Sequence, residues 1–242
     1  MNESRPTGRL SGVVIPAPIV RPTIRTVADA LKYGGGSRAP WSGLTREVKK
    51  WLTSERVSWQ DANREHFDRS LTAQAATEQA RRGGAMSAVG HLWLARVDAN
   101  GRQHDLGLAG CRVVTTAGVN FIVDAFQGIV EPENMKYHGV GTGAGAEAIG
   151  NTTLTTELTT QYQVSNTRPT GSLGELAGNA NVFETTATIT VSSAVAITEH
   201  GIFSQAAVGG GVLLDKTLFA AVNLASGESL QAQYDLTFAA GG

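Results

Sequence analysis

Apolar positions recur along this 242-residue chain with three different spacings, and each spacing predicts a different kind of structure. Near the amino terminus they are interrupted by proline, as in Val13-Val14-Ile15-Pro16-Ala17-Pro18-Ile19-Val20, and Pro6, Pro22 and Pro40 continue the series. Proline fixes φ and removes a backbone donor, so such a stretch suits neither a regular helix nor a central strand. It predicts an extended arm over 1–40 whose valines and isoleucines are covered by another protein. Within it, Ile24, Val27, Ala28 and Leu31 share one face of a short helix over 23–33, which the run Gly34-Gly35-Gly36 ends as a swivel. Over 41–84 the spacing becomes helical, with Leu44, Val48, Trp51 and Leu52 on one stripe. Ser58 followed by Asp61 gives a start signal for a second helix that runs to Arg81-Arg82 and stops at Gly83-Gly84. This segment is expected to dock.

From residue 85 the period falls to that of strands. Segments 91–97 and 105–114 flank Asn100-Gly101, a dipeptide that tolerates positive φ and marks a hairpin. Thr115 or Thr116 then caps a helix whose Val119, Ile122, Val123 and Phe126 would pack over the sheet. Further strands are expected over 136–140, 161–164, 182–191, 196–203, 212–219 and 229–238, separated by Gly-, Asn- and Ser-containing turns such as 207–211 and Ser226-Gly227. The predicted fold is mainly β with an α-helical amino-terminal part: an antiparallel β-sandwich or partly open barrel with one packed helix, over 85–242, preceded by the arm and the docking segment.

Composition fits a globular core, with 41% hydrophobic and 17% charged residues. Net charge is −1, but the chain is polarised: residues 1–90 carry +6 and the remainder −7. A basic segment on an acidic body points to docking on an acidic protein surface, or against the body of this chain or a neighbouring subunit. Nucleic acid is disfavoured because the basic residues are scattered. The single cysteine, Cys111, excludes an intrachain disulfide and reads as a packed small residue. No apolar run reaches membrane-span length and no signal-peptide core opens the chain, which reads as soluble and unprocessed.

Candidate chemistry is sparse, and no catalytic, cofactor-binding or metal-binding residues are selected. Gly141, Gly143 and Ala146 satisfy the offsets of a dinucleotide fingerprint, yet no helix pattern or ribose-binding aspartate follows them. The five histidines show no ligand-like spacing, and Glu199-His200 would face opposite ways on a strand. Gly171-Ser172-Leu173-Gly174 lacks the spacing of a nucleophile elbow. The expectation is a protein that is not an enzyme. The residues expected to bind a partner are Val14, Ile15, Ile19, Val20, Trp41, Trp51 and Trp59 as apolar anchors, with Arg21, Arg25, Arg38 and Arg46 as electrostatic guides. The tryptophans have an alternative use in a small local helical core.

Several blocks occur in an order that resembles a module of tailed-bacteriophage virion proteins. They are Met135-Lys136-Tyr137-His138-Gly139-Val140-Gly141-Thr142-Gly143, Thr153-Leu154-Thr155-Thr156-Glu157-Leu158, Asn166-Thr167-Arg168-Pro169-Thr170-Gly171, Ala196-Ile197-Thr198-Glu199-His200-Gly201-Ile202-Phe203, Gly209-Gly210-Gly211-Val212-Leu213-Leu214-Asp215 and 221–230. The resemblance covers roughly 110–242 and implies a structural role in a virion assembled in the host cytoplasm. Head-decoration, head-fibre and tail-associated components are similar. The first expectation is a capsid cement or decoration protein that binds the major capsid protein, as a homo-oligomer with a trimer favoured. The alternatives are a tail, neck or fibre-associated adaptor or receptor-binding protein, and a glycan-binding module using Tyr137, Tyr162 and Tyr234.

Overall fold

A computed structural model describes residues 54–70 and 86–240. The chain divides into two units, Met1–Ala39 and Pro40–Gly242, and every described residue belongs to the second. The arm, the 23–33 helix and the stripe of Leu44, Val48, Trp51 and Leu52 lie outside the described residues.

The described chain is mainly antiparallel β. Its elements in order are α1 (Ser54–Ala62), with helical turns resuming over 64–70, β1 (Ser87–Val97), β2 (Gln103–Val114), α2 (Thr116–Phe126), β3 (Tyr137–Gly141), β4 (Ser172–Glu175), β5 (Val182–Thr190), β6 (Val195–Phe203), β7 (Leu213–Leu224) and β8 (Ser229–Ala239). The strands form one sheet in the order β3-β6-β7-β2-β1-β8-β5-β4. It is a curled half-barrel and not two stacked sheets. The two edges approach each other at one end: Gly171 N–H donates to the Lys136 carbonyl at 2.7 Å and His138 N–H to that of Pro169 at 3.0 Å, just before the chain enters β4 beside β5. One short segment thus touches both edge regions, which limits the exposed strand edge.

Local sequence explains most elements. Asp98 accepts from the Asn100 and Arg102 amides at 2.9 and 3.0 Å, and Gly101 takes φ +78°, so the β1–β2 hairpin turns where Asn100-Gly101 predicts. Thr115 caps α2 by accepting from the Gly118 amide at 2.9 Å. On β8, Leu230, Ala232, Tyr234 and Leu236 alternate into the interior against Leu92 and Leu94 of β1. Strict alternation fails on β2 and β7, where seven consecutive positions of each are buried because helices and the 142–156 loop cover the outer face. The interior divides into a lower apolar cluster including Trp59, Leu92, Ile189, Ile197, Phe219 and Leu230, and an upper one including Phe121, Met135, Ile202, Leu214 and Leu236.

Four expectations are corrected. Ser58 is an interior residue of α1, not its cap. No strand forms over 161–164: Tyr162 turns its side chain inward, its hydroxyl bonding the Val140 amide and carbonyl at 2.9 and 3.2 Å, while Val164 takes φ 108° and leaves strand geometry. The eighth strand is instead β4, exposed throughout and held to β5 by backbone pairing and by the Ser172 hydroxyl, which donates to the Thr186 carbonyl at 3.2 Å. On α2 the packed face is Gly118, Phe121 and Ile122; Val119, Val123 and Phe126 point outward. Gly118 decides this, since a Cβ there would overlap the Leu214 carbonyl, so the helix rests its smallest residue on β7.

Candidate functional site

Polar residues inside the barrel form a directed chain that crosses β2, β6, β3 and β5. Arg112 is fully buried and donates from Nη1 to His200 Nδ1 at 2.9 Å. That fixes the His200 proton on Nε2, which donates to His138 Nδ1 at 3.0 Å, and His138 Nε2–H in turn donates to Thr185 Oγ1 at 3.1 Å. Arg112 Nη2 pairs with Asp215, and the guanidinium lies 5.2 Å from the centre of the Tyr234 ring. Burial, reinforced by the Arg112 charge, pushes His138 down to about 3 and His200 well below its ordinary value, so both rings are neutral. Each ring nitrogen is committed to a protein partner. The cluster ties strands together and leaves no imidazole nitrogen for a ligand. The histidines that show no spacing signal in the sequence meet here because β3 and β6 are neighbours.

A second cluster lies on the outer face of β6 and β7. Glu199 accepts from the amides of Gly143 (3.1 Å), Thr155 (2.9 Å) and Thr156 (2.7 Å), and pairs with Lys216 Nζ at 3.1 Å. Lys216 also donates to the Gly145 carbonyl and Thr155 Oγ1 at 3.1 and 2.6 Å. The glycine run that imitates a phosphate loop is therefore filled by the protein's own carboxylate. These amide and ammonium contacts outweigh desolvation and lower the Glu199 pKa. A Cβ at Gly143 would come 2.5 Å from both Glu199 Oε1 and Thr155 Cβ, so its glycine serves close packing. Glu199 and His200 do face opposite sides, as strand geometry requires. A third tie is Arg168, paired with Glu157 at 2.5 and 2.8 Å, donating to the carbonyls of Gln205 and Gly210, and stacked 3.5 Å over the Phe203 ring. Glu157, Arg168, Glu199 and Asp215 of the quoted blocks are thus internal connectors. Among the described residues no group of three or more His, Cys, Asp or Glu could hold a metal ion.

Of the residues selected as partner anchors and guides, Val14, Ile15, Ile19, Val20, Arg21, Arg25, Arg38, Trp41, Arg46 and Trp51 lie outside the described residues. Trp59 is described, and it is packed within its own chain: its ring lies 6.3 Å from Phe219 and its Nε1–H donates to the Ala220 carbonyl at 3.0 Å. It is a core residue here and not an exposed anchor. Tyr162 and Tyr234 are likewise buried, which removes two of the three tyrosines considered for a glycan platform. Cys111 is buried and its thiol is pushed up to about 12 by desolvation, in keeping with a packed small residue.

The surface feature that sequence periodicity misplaced is the outer face of α2. Val119 and Val123 are about half exposed, Phe126 is 84% exposed and Ile129 65%, with Ile149 67% exposed where its carbonyl receives the Thr116 amide. Asp124, Glu131 and Glu133 lie in the same segment. Among the described residues, five of the eight exposed large hydrophobics gather at this end, which is more than scattered surface leucines and valines would give. Among the described residues no helix is long and apolar enough to cross a membrane. Searched against protein-family models, curated proteins and solved structures, the chain has no match.

Proposed function

We propose that this is a virion structural protein, a capsid cement or decoration protein that stabilises the shell by bridging major capsid subunits. The observation that carries the reading is the exposed apolar face of Val119, Val123, Phe126 and Ile129, set on a half-barrel braced by the buried ion pairs Arg112–Asp215 and Glu199–Lys216. Such a body is suited to persist and to adhere. The order of sequence blocks that resembles tailed-phage virion proteins supports the same class.

In this reading each copy contributes apolar contacts at a joint between shell subunits, and many weak contacts sum through multivalency. Val14, Ile15, Ile19, Val20, Trp41 and Trp51 are the amino-terminal anchors, and Arg21, Arg25, Arg38 and Arg46 guide the basic segment to an acidic partner. The copies act as a homo-oligomer, a trimer being the first expectation, and the protein performs no catalysis.

Deleting residues 1–40 tests the arm directly. The truncated protein should remain folded and soluble but fail to bind undecorated shells in a co-sedimentation assay. Normal occupancy by the truncated protein would refute the arm mechanism. A tail or neck location is the competing structural reading, and copy number separates the two.

A further inference from the structure

The barrel wall is split between β2 and β7. These two long strands pair only at Val113↔Lys216 and Val114↔Asp215, with the Thr115 amide continuing the ladder to the Leu214 carbonyl at 2.9 Å. The residue numbers of all three pairs add to the same total, and hydrogen-bonded pairs alternate along an antiparallel ladder. Extended in register, the next two hydrogen-bonded pairs would be Cys111 with Leu218 and Ala109 with Ala220. Neither is made. The Leu218 amide donates instead to Glu147 Oε1 at 2.6 Å. Between Ala109 and Ala220 stands the side-chain amide of Asn63 from the helical segment: the Ala220 N–H donates to Asn63 Oδ1 at 2.9 Å, and Asn63 Nδ2 donates to the Ala109 carbonyl at 2.8 Å. Asn63 thus occupies the ladder as one inserted peptide unit would, between two groups that are each other's partners in register.

The rest of the seam follows the same rule. Trp59 Nε1–H takes the Ala220 carbonyl, and Gln60 Nε2 takes the carbonyls of Leu106 and Leu108 at 2.7 and 2.9 Å. Helix and sheet are therefore joined at the seam by side-chain donors and acceptors on strand backbone, of which the Ala109 carbonyl and Ala220 amide can satisfy each other, and at its margin by the ion pairs Arg56–Asp105, Glu55–Arg96 and Glu55–His104. We propose that α1 and its continuation to Ser70 are a removable wedge, and that β2 and β7 zip directly, Ala220 amide to Ala109 carbonyl, when the wedge withdraws. The alternative state needs no new chemistry at the centre of the seam: the Ala220 amide and the Ala109 carbonyl exchange the Asn63 side chain for each other, while the Leu106 and Leu108 carbonyls released by Gln60 pass to solvent. Two packings of one sequence that conserve hydrogen bonds are the basis of a bistable element. The withdrawn segment carries Trp59 and the polar face of α1 out to solvent, whereas in the wedged state these are buried. This inference is independent of any role in a virion.

The sole cysteine reports the motion. Cys111 lies under the helical segment beside Ser70 and is shielded while the wedge is in place. The experiment combines labelling of Cys111 by a small aromatic disulfide reagent with amide hydrogen exchange at Ala220, in the full chain under native conditions. Asn63→Ala leaves both the Ala109 carbonyl and the Ala220 amide unmatched in the wedged state, so it should accelerate Cys111 labelling by about tenfold or more, one buried hydrogen bond alone accounting for about tenfold. Ala220 should stay protected, because zipping restores its bond. If labelling and Ala220 exchange accelerate together, the seam has only loosened and the zipped state does not exist. Should the variant fail to fold, the wild-type chain in mild urea gives the same decision: Cys111 labelling ahead of the loss of Ala220 protection supports the wedge, and simultaneous loss at global unfolding overturns it.

Discussion

His138 and His200 illustrate how a buried residue converts solution pH into stability. Both rings are neutral in the folded protein, since burial and Arg112 hold their pKa values far below 6.5, while in the unfolded chain they titrate near that value. The unfolded state therefore binds more protons as pH falls, and folding stability is lost below about pH 6.5. Each ring should cost about 2 kcal/mol between pH 7 and pH 5. His91, also lowered by burial, adds in the same direction, while Glu147 and Asp215, raised by burial, act against it but do not outnumber the imidazoles. Urea midpoints at pH 7 and pH 5 check this, and equal midpoints would contradict the neutral pair. Glycines offer a second residue-level check. Gly143→Ala should destabilise by about 1–3 kcal/mol because Glu199 and Thr155 cannot both move aside, whereas Gly174→Ala, with open space around it, should stay within about 0.5 kcal/mol.

At the scale of elements, the two described helices differ in what the sequence reveals of them. The span of α2 is legible from Thr115, whose hydroxyl caps it, and from apolar spacing, but its orientation is not. Val119, Val123 and Phe126 form as regular a stripe as Gly118, Phe121 and Ile122, and only the close approach of Gly118 to Leu214 selects the second. Phe126→Ser should consequently leave the thermal midpoint nearly unchanged, since the ring is exposed, and under the proposed cement role it should weaken co-sedimentation with capsid shells. For the segment containing α1, the reverse holds. Its polar residues Gln60 and Asn63 carry no hydrophobic signal, yet they are the ones buried against β2 and β7, because what they meet is unpaired backbone. Trp59→Ala should cost about 3–5 kcal/mol by denaturant unfolding, as expected for a large ring removed from a core and not for a free surface anchor. The hairpin at Asn100-Gly101 and the strands β5, β6 and β8 are legible from period and turn chemistry. β4 is invisible to that logic because none of its side chains is buried.

For the molecule as a whole, the sheet class is readable in the sequence and its closure is not. Alternation predicts antiparallel strands, but nothing in residue spacing tells that the ends of the sheet meet through 169–171, or that Glu157, Arg168, Glu199 and Asp215 of the quoted blocks serve as internal ties. The glycine run is the sharpest case: its spacing imitates an anion-binding loop, and the anion proves to be Glu199 from another strand. A body braced in this way, with an apolar face outside and a basic amino-terminal segment in the sequence, is the physical content of the assembly proposal. Its central claim is tested most directly by quantifying this protein against the major capsid protein in purified particles. The account predicts hundreds of copies per particle, as a shell-wide cement requires. A dozen or fewer would place it at the tail or a vertex, and its absence from purified particles would contradict a structural role in the virion altogether.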